Sequence, residues 1–306
     1  MKVRAIMNPR AGVRSPGTRE AVERGRPGWK DYAVELTREP GHATQLAREA
    51  VAVGADLVLA VGGDGTVNEV ARGLLGSEAA LGVVPVGSGN GLARALRVPL
   101  RAHRALAALE SAPRRSTDVG FLNGQPFLNV AGVGFDAAVG QAFHDHGRAG
   151  GRRGFLGYLR LCLRELRRYR PARLSIEVEG GEPVLATPFV LTFANGPQYG
   201  AGAVINPGAR LDDGCLELVL FEDRPRLAAL ADAARLFLGG LERSPHYRRL
   251  RLSSRATVTA DEPVPVHVDG DPGPKARRLE LTLRPRALAL LVPRTTLEAG
   301  DGPFLA

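Results

Sequence analysis

The run Leu57-Val58-Leu59-Ala60-Val61 is apolar at every position, and Gly62-Gly63-Asp64-Gly65-Thr66 follows it at once. A strand without apolar and polar alternation is buried on both faces, as happens where helices cover a parallel sheet from both sides. The chain is thereby constrained to alternate strands with helices, and to turn on glycines at a strand's carboxyl end. Residues 3–7, 32–36 and 81–85 read as further strands, and 42–53, 67–75, 90–96 and 102–110 as helices with apolar residues three and four apart.

After residue 118 the texture changes. Residues 126–135, 174–178, 189–195, 216–222, 257–260 and 279–283 read as short strands, with helical insertions at 155–169 and 227–238. The 306 residues exceed the size of about 250–300 at which a single core stops growing. The reading is therefore an α/β, doubly wound unit over 1–118, completed by 287–306, and a mostly β unit, a sandwich, over 119–286.

A strand that ends in Gly-Gly-x-Gly and opens a helix brings backbone N–H groups up to phosphates. A tight turn without a ligand would use the same glycines, and Asp64 separates the two readings. A carboxylate aimed at phosphates is repelled unless a divalent cation lies between them, or unless it acts on the attacking hydroxyl. The stretch is neither a Walker A loop nor G-x-G-x-x-G. A second loop, Gly87-Ser88-Gly89-Asn90-Gly91, follows the strand at 81–85 and lines the same crevice.

The net charge of +9 favours anionic partners. Its arginines are spread along the chain without the aromatic interleaving of a single-stranded RNA binder, so no nucleic-acid partner is expected. Cys162 and Cys215 form no C-x-x-C, and no apolar stretch reaches the roughly 18–20 residues that cross a bilayer. With an N-terminus unlike a signal peptide, the expected location is cytoplasmic. The helix at 155–169 sets Arg160, Arg164, Arg167 and Arg168 beside Phe155, Leu156, Tyr158, Leu159 and Leu163, with Arg148, Arg152 and Arg153 just upstream. Either it packs its leucines on the sandwich and solvates its arginines, or it lies on an anionic membrane.

Seven stretches together resemble the diacylglycerol kinase and sphingosine kinase family of lipid kinases: NPRAG at 8–12, TREPGHATQLA at 37–47, GGDGTVNEV at 62–70, PVGSGNGLARAL at 85–96, NVAGVGFDAAV at 129–139, ARLDDGCLELVLF at 209–221 and VDGDP at 268–272. The family commonly has Asn-Asp after the second loop, where this chain has Asn90-Gly91. The resemblance implies a nucleotide-binding domain related to those of phosphofructokinases and NAD kinases, a C-terminal β-sandwich and a site in the cleft between them. It implies ATP held by Asn8, Thr37, Gly63, Asp64, Gly65, Thr66, Glu69, Gly87, Ser88, Gly89 and Asn90. It further implies Asp269 as general base with Asp271 in support, Asp136 at the lipid headgroup, and Mg²⁺ at Asp213 with Asp212 and Cys215 beside it.

Elementary chemistry permits these roles and offers simpler ones. A spacing of two along an extended segment puts Asp269 and Asp271 on one face, where like charge raises one pKa, yet DGDP is also a hairpin turn. LDDG is likewise a turn signal, and Asp136 at a helix mouth is favoured there without any ligand. The function that follows is an ATP- and Mg²⁺-dependent lipid kinase acting on a diacylglycerol, related neutral lipid or sphingoid base at the inner face of a membrane. The alternatives are an NAD kinase and a non-catalytic binder of anionic lipid or nucleic acid. A homodimer stays open.

Overall fold

The structure is a computed structural model that describes residues 1–11, 17–148, 155–222 and 226–304. Arg152 and Arg153 of the basic stretch lie outside them. The first half runs β1 (Lys2–Met7), α1 (Thr18–Arg24), β2 (Asp31–Leu36), α2 (His42–Ala52), β3 (Leu57–Gly62), α3 (Asp64–Leu74), β4 (Ala80–Pro85), α4 (Gly91–Ala95) and α5 (Ala102–Glu110). Strands β1 to β4 are parallel in the order β2-β1-β3-β4, and β3 and β4 are buried at every residue. The order reverses between β1 and β3, which opens a crevice at their carboxyl ends. Helix α3 starts at Asp64, earlier than the apolar pattern suggested, because the glycine turn itself forms its first turn.

The second half contains β5 (Arg114–Leu122), β6 (Gln125–Phe127), β7 (Val130–Gly134), α6 (Phe135–Arg148), α7 (Phe155–Arg168), β8 (Leu174–Val178), β9 (Val184–Ala186), β10 (Pro188–Ala194), β11 (Gln198–Gly200), β12 (Ala203–Val204), β13 (Leu216–Glu222), α8 (Arg226–Leu238), β14 (Tyr247–Leu252), β15 (Arg255–Val268), β16 (Asp271–Leu291) and α9 (Arg294–Leu297). Its sandwich core gathers Phe127, Val133, Ile176, Phe193, Leu218, Val258 and Leu281 from strands throughout this half. The expected strand at 126–135 is broken at Leu128-Asn129, and Phe135 already belongs to α6.

The two last strands are far longer than their apolar cores, at 14 and 21 residues. Pro263 and Pro265 read as strand breakers, since proline cannot donate to a ladder. In the fold they sit where the β15–β16 register shifts, between Thr259 and Val264 and between Val264 and Val266. Strand β16 then continues against β5 and ends parallel to β4 through Ala289 and Leu290. The final apolar run thus returns to the first half. The boundaries expected near 118 and 286 both fall on one irregularity of the β5–β16 ladder, between Arg284 and Leu288. There the fully buried Asp118 accepts the Arg286 N–H at 2.8 Å and the Gly214 N–H at 2.7 Å.

Helices α2 and α3 meet at Gly73, where a Cβ would lie 2.5 Å from Ala47 Cβ and 2.6 Å from the Thr44 carbonyl oxygen. Alanine is the better helix former by about 1 kcal/mol, but overpacking against backbone costs typically about 1–3 kcal/mol. Gly73→Ala is expected to destabilise the protein on balance, read as a lower denaturant midpoint.

Candidate active site

The crevice is built from strand ends. Asn8 follows β1, donates its backbone N–H to the Val61 carbonyl at 3.0 Å, and reaches Thr66 Oγ1 with Nδ2 at 3.2 Å. Thr37 follows β2, its N–H bonded to the Met7 carbonyl at 2.9 Å. Beside them, after β3 and β4, the two glycine loops meet back to back, a Cβ on Gly87 falling 2.6 Å from Gly63 Cα. A Cβ on Gly89 would lie 2.8 Å from Asp64 Oδ2, and one on Gly65 would lie 2.9 Å from Asp271 Oδ2. The glycines are therefore required by the packing of the loops on each other and on the second half, as well as by any approach of phosphates. Ser88 is exposed at the tip of the second loop.

Two residues expected in the nucleotide pocket do something else. Asn90, in the left-handed region at φ 51°, accepts the Gly87 N–H at 3.0 Å and donates Nδ2 to the Gly87 carbonyl at 2.7 Å. Its amide shapes the loop from within. Glu69 accepts the Gly41 and Ala43 N–H groups at 2.9 and 3.1 Å, so its carboxylate caps α2, as the positive end of a helix favours.

Asp269 and Asp271 do not share a face of an extended segment. Asp269 and Gly270 have φ of 48° and 87°, and Val268 pairs with Asp271, so Asp-Gly is the two-residue turn joining β15 to β16. The turn and the site are one object. The Asp269 carboxylate accepts the N–H groups of Asn129 at 2.9 Å and Val130 at 3.1 Å on Oδ1, and of Leu128 at 2.9 Å on Oδ2. Oδ2 also accepts Asn68 Nδ2 at 2.7 Å. Asn68, absent from the sequence expectations, is fixed in turn by Arg72 Nε at 2.8 Å and by its own bond to the Pro126 carbonyl at 2.9 Å. Its position one helical turn after Asp64 was the available signal. Burial pushes the Asp269 carboxyl up, while the four donors pull the other way.

Asp64 accepts the Gly91 N–H at 2.6 Å. Burial pushes its carboxyl up to about 6, the Gly91 N–H opposes this, and the nearby charge of Asp269 adds to it. The like-charge neighbour of Asp269 is therefore Asp64, across the cleft. A small cavity lined by Asp64, Val67, Leu92, Leu128, Asn129, Tyr199 and Asp269 holds two carboxylates and no cationic side chain. Of that set Asp64 is the group that suits a divalent cation, since the Asp269 carboxylate already accepts four N–H donors.

Asp136 opens α6 and lies on the same side of the sandwich. Its Oδ2 accepts Tyr199 Oη–H at 2.8 Å and His267 Nε2–H at 3.0 Å, and its Oδ1 accepts the Ala137 N–H at 2.8 Å. Neither Tyr199 nor His267 was anticipated, although His267 precedes Asp269 by two along β15. The residues expected to hold Mg²⁺, Asp213 with Asp212 and Cys215, do not group as a metal site. Asp213 faces Arg251 Nη2 at 2.7 Å and the Cys215 N–H at 3.1 Å, and Asp212 faces Arg210 Nε at 3.7 Å. Arginine supplies the positive charge there. Among the described residues no three histidine, cysteine, aspartate or glutamate side chains group as metal ligands, and no helix is long and apolar enough to cross a membrane.

Residues 2–122 match the diacylglycerol kinase catalytic domain, and residues 129–292 match the YegS C-terminal NAD kinase beta sandwich-like domain. The chain belongs to the diacylglycerol kinase family of lipid kinases. A "Probable lipid kinase YegS-like" of Chromohalobacter salexigens is 35% identical, the alignment covering 91% of this chain and 89% of that protein. A diacylglycerol kinase of Bacillus subtilis is 29% identical over 89% of this chain and 90% of its own. In fold, this lipid kinase is similar to a diacylglycerol kinase from Bacillus anthracis, with TM-score 0.73, 22% identity and coverage of 96% and 97% of the two chains. The fold also extends to an Archaeoglobus fulgidus NAD kinase, with TM-score 0.53, 13% identity and coverage of 94% and 93%.

Burial holds the Asp64 carboxyl up at about 6 in the fold, above its ordinary value of 3.8, so between these pH values the folded lipid kinase binds more protons than the unfolded chain. This contribution to stability is therefore lost as pH rises through that window and stays lost above it. Asp64→Asn is expected to stabilise the ligand-free enzyme at neutral pH by roughly 1–3 kcal/mol and to flatten its stability profile over the window, measured by thermal unfolding against pH.

Proposed function

We propose that this lipid kinase transfers the γ-phosphoryl group of ATP to the hydroxyl of a diacylglycerol or related neutral lipid, working at the inner face of a membrane. The observation that carries the reading is the pair of carboxylates at the β15–β16 turn. A carboxylate offers about four acceptor positions, and those of Asp269 already hold four donors. Asp271 is exposed and lies against Gly65 of the glycine loop. The base expected at Asp269 is accordingly assigned to Asp271, with Asp269 as the residue that positions it.

Each residue then has a defined task. The loops at Gly63–Thr66 and Gly87–Gly89 receive the nucleotide phosphates, and Asn8 and Thr37 border them on the β1 and β2 side. Asp64 is the acidic group nearest the phosphates. Bound Mg²⁺ would supply the charge neutralisation that lets this carboxylate sit there. Asp271 accepts the proton of the lipid hydroxyl as its oxygen attacks, and Asp136, held by Tyr199 and His267, borders the headgroup. Catalysis of this kind is chiefly positioning.

Incubation with radiolabelled ATP, a panel of neutral lipids and NAD tests the assignment. Label in the organic phase is expected, and label in NADP alone overturns it. The two aspartates separate by substitution. Asp271→Asn should lower turnover by about 10²- to 10⁴-fold with the thermal midpoint unchanged. Asp269→Asn turns an amide NH₂ towards N–H donors, at a cost of roughly 1–3 kcal/mol, and should lower the thermal midpoint as well. Normal turnover in Asp271→Asn would return the base to Asp269.

A further inference from the structure

We propose that Tyr199 is a positioning residue that ties the two substrate sites together, so that a lipid headgroup at Asp136 and ATP on the second glycine loop each raise the affinity for the other. This coupling needs both substrates and so rests on the lipid kinase reading above. The Tyr199 side chain faces the headgroup carboxylate. Its Oη–H goes to Asp136 Oδ2 at 2.8 Å, and with that proton committed, Thr192 Oγ1–H donates to Tyr199 Oη at 2.5 Å. His267 Nε2–H holds the same Asp136 oxygen from β15 at 3.0 Å. Gly132 of β7 leaves the pair its room, since a Cβ there would lie 3.1 Å from His267 Nε2 and 3.2 Å from Asp136 Oδ2.

The main chain beside Tyr199 holds the phosphate loop. Ala201 donates its N–H to the Gly89 carbonyl at 2.9 Å, where Arg94 Nε joins it at 3.0 Å. A Cβ on Gly200 would lie 3.3 Å from Gly89 Cα, and one on Gly91 would lie 2.9 Å from the Tyr199 carbonyl oxygen. The peptide between Gly89 and Asn90 is thereby fixed on both sides. Its carbonyl meets Ala201, and its N–H is directed at Asp64. A short run of bonds thus leads from the headgroup carboxylate, through Tyr199 to Ala201, to the acidic group nearest the phosphates.

Two properties make this run a coupling element. With the Ala137 N–H on Oδ1, three of the roughly four acceptor positions of Asp136 are filled. A headgroup hydroxyl takes the one that remains, and a carboxylate so enclosed cannot turn to meet it without turning Tyr199. Beyond Tyr199, Ala201 carries a Cβ at φ 52° between Gly200 and Gly202 at 131° and 91°, a form that the segment keeps only where its contacts hold it. Headgroup and nucleotide therefore order the same residues, 198–201, from opposite ends. Two ligands that order one segment bind with positive cooperativity, because the second meets a segment already ordered.

Isothermal titration of the full chain with a non-hydrolysable imido analogue of ATP and Mg²⁺, with and without saturating dioctanoylglycerol, measures the coupling itself. In the parent chain the lipid should tighten binding of the analogue by at least about fivefold, and the analogue should tighten binding of the lipid by the same factor. Tyr199→Phe keeps the ring, removes the hydroxyl and should bring that ratio to about one. Thr192→Val removes a hydroxyl from the same buried cluster without cutting the Asp136 bond, and should keep the ratio. Hydrogen exchange on the parent chain supplies a reading that needs no variant: dioctanoylglycerol alone should slow exchange over both 198–201 and 87–91.

A ratio unchanged in Tyr199→Phe, or lost equally in Thr192→Val, would leave Tyr199 a packing role only and overturn the coupling. Exchange slowed at 198–201 but not at 87–91 would end the link short of the loop and overturn it too. The same holds if the parent chain shows no coupling while it phosphorylates dioctanoylglycerol, an outcome that leaves the lipid kinase reading intact. Neither binding nor phosphorylation of dioctanoylglycerol or of any lipid in the panel would overturn that reading, and the coupling with it.

Discussion

The cleft depends on a single enclosed carboxylate. Asp269 joins the β15–β16 turn to three successive N–H groups of the β6–β7 link and, through Asn68, to α3 of the first half. A charge removed from water is tolerated only when its lone pairs are met, and here N–H dipoles alone meet them. The rest of the site follows from that anchorage. The turn has to accept positive φ at both central residues, hence Asp-Gly. The next residue, Asp271, is then delivered to the α3 glycine loop, where only a residue without a Cβ leaves it room.

Asp118 performs the matching task on the other side of the junction. It is fully buried, and its backbone-directed hydrogen bonds hold the irregularity at which β16 passes from the second half to the first. Two enclosed carboxylates satisfied by backbone amides thus flank the crossing, and β5 and β16 run through it without a linker. A cleft joined by two continuous strands resists free hinge motion. Adjustment to a substrate is better placed in elements carried on the sandwich face, such as α6 and α7, than in the relation of the halves.

The parallel sheet was legible because β3 and β4 are apolar at every position, a pattern that only two-sided burial explains. The crevice was legible for the same reason, since glycines at successive strand ends can only line one edge. What was not legible depended on partners distant in sequence. Asn68 lies inside a quoted motif, yet its bond to Asp269 spans 201 positions. Tyr199 and His267 look like ordinary strand residues until α6 brings Asp136 to them. Glu69 and Asn90 were read as ligands because they stand among ligand-like neighbours, while local capping and loop closure had the prior claim on their polar atoms. The long strands were missed because only their apolar cores were read, while the charged and proline-bearing stretches beside those cores also pair, the prolines falling at register shifts.

Asp64 shows why such a site persists despite its instability. Burial and the charge of Asp269 raise its carboxyl to about 6, so at neutral pH the ligand-free fold carries an ionised group it would hold more readily as the acid. An uncharged residue would relieve that strain, and packing alone gives no reason to keep the aspartate. A cation bound at Asp64 would favour its ionised form, turning a destabilising charge into a preorganised binding element. The instability and the function are then one property seen without and with the ligand. Stability gained by removing the charge would come at the expense of the chemistry the charge serves.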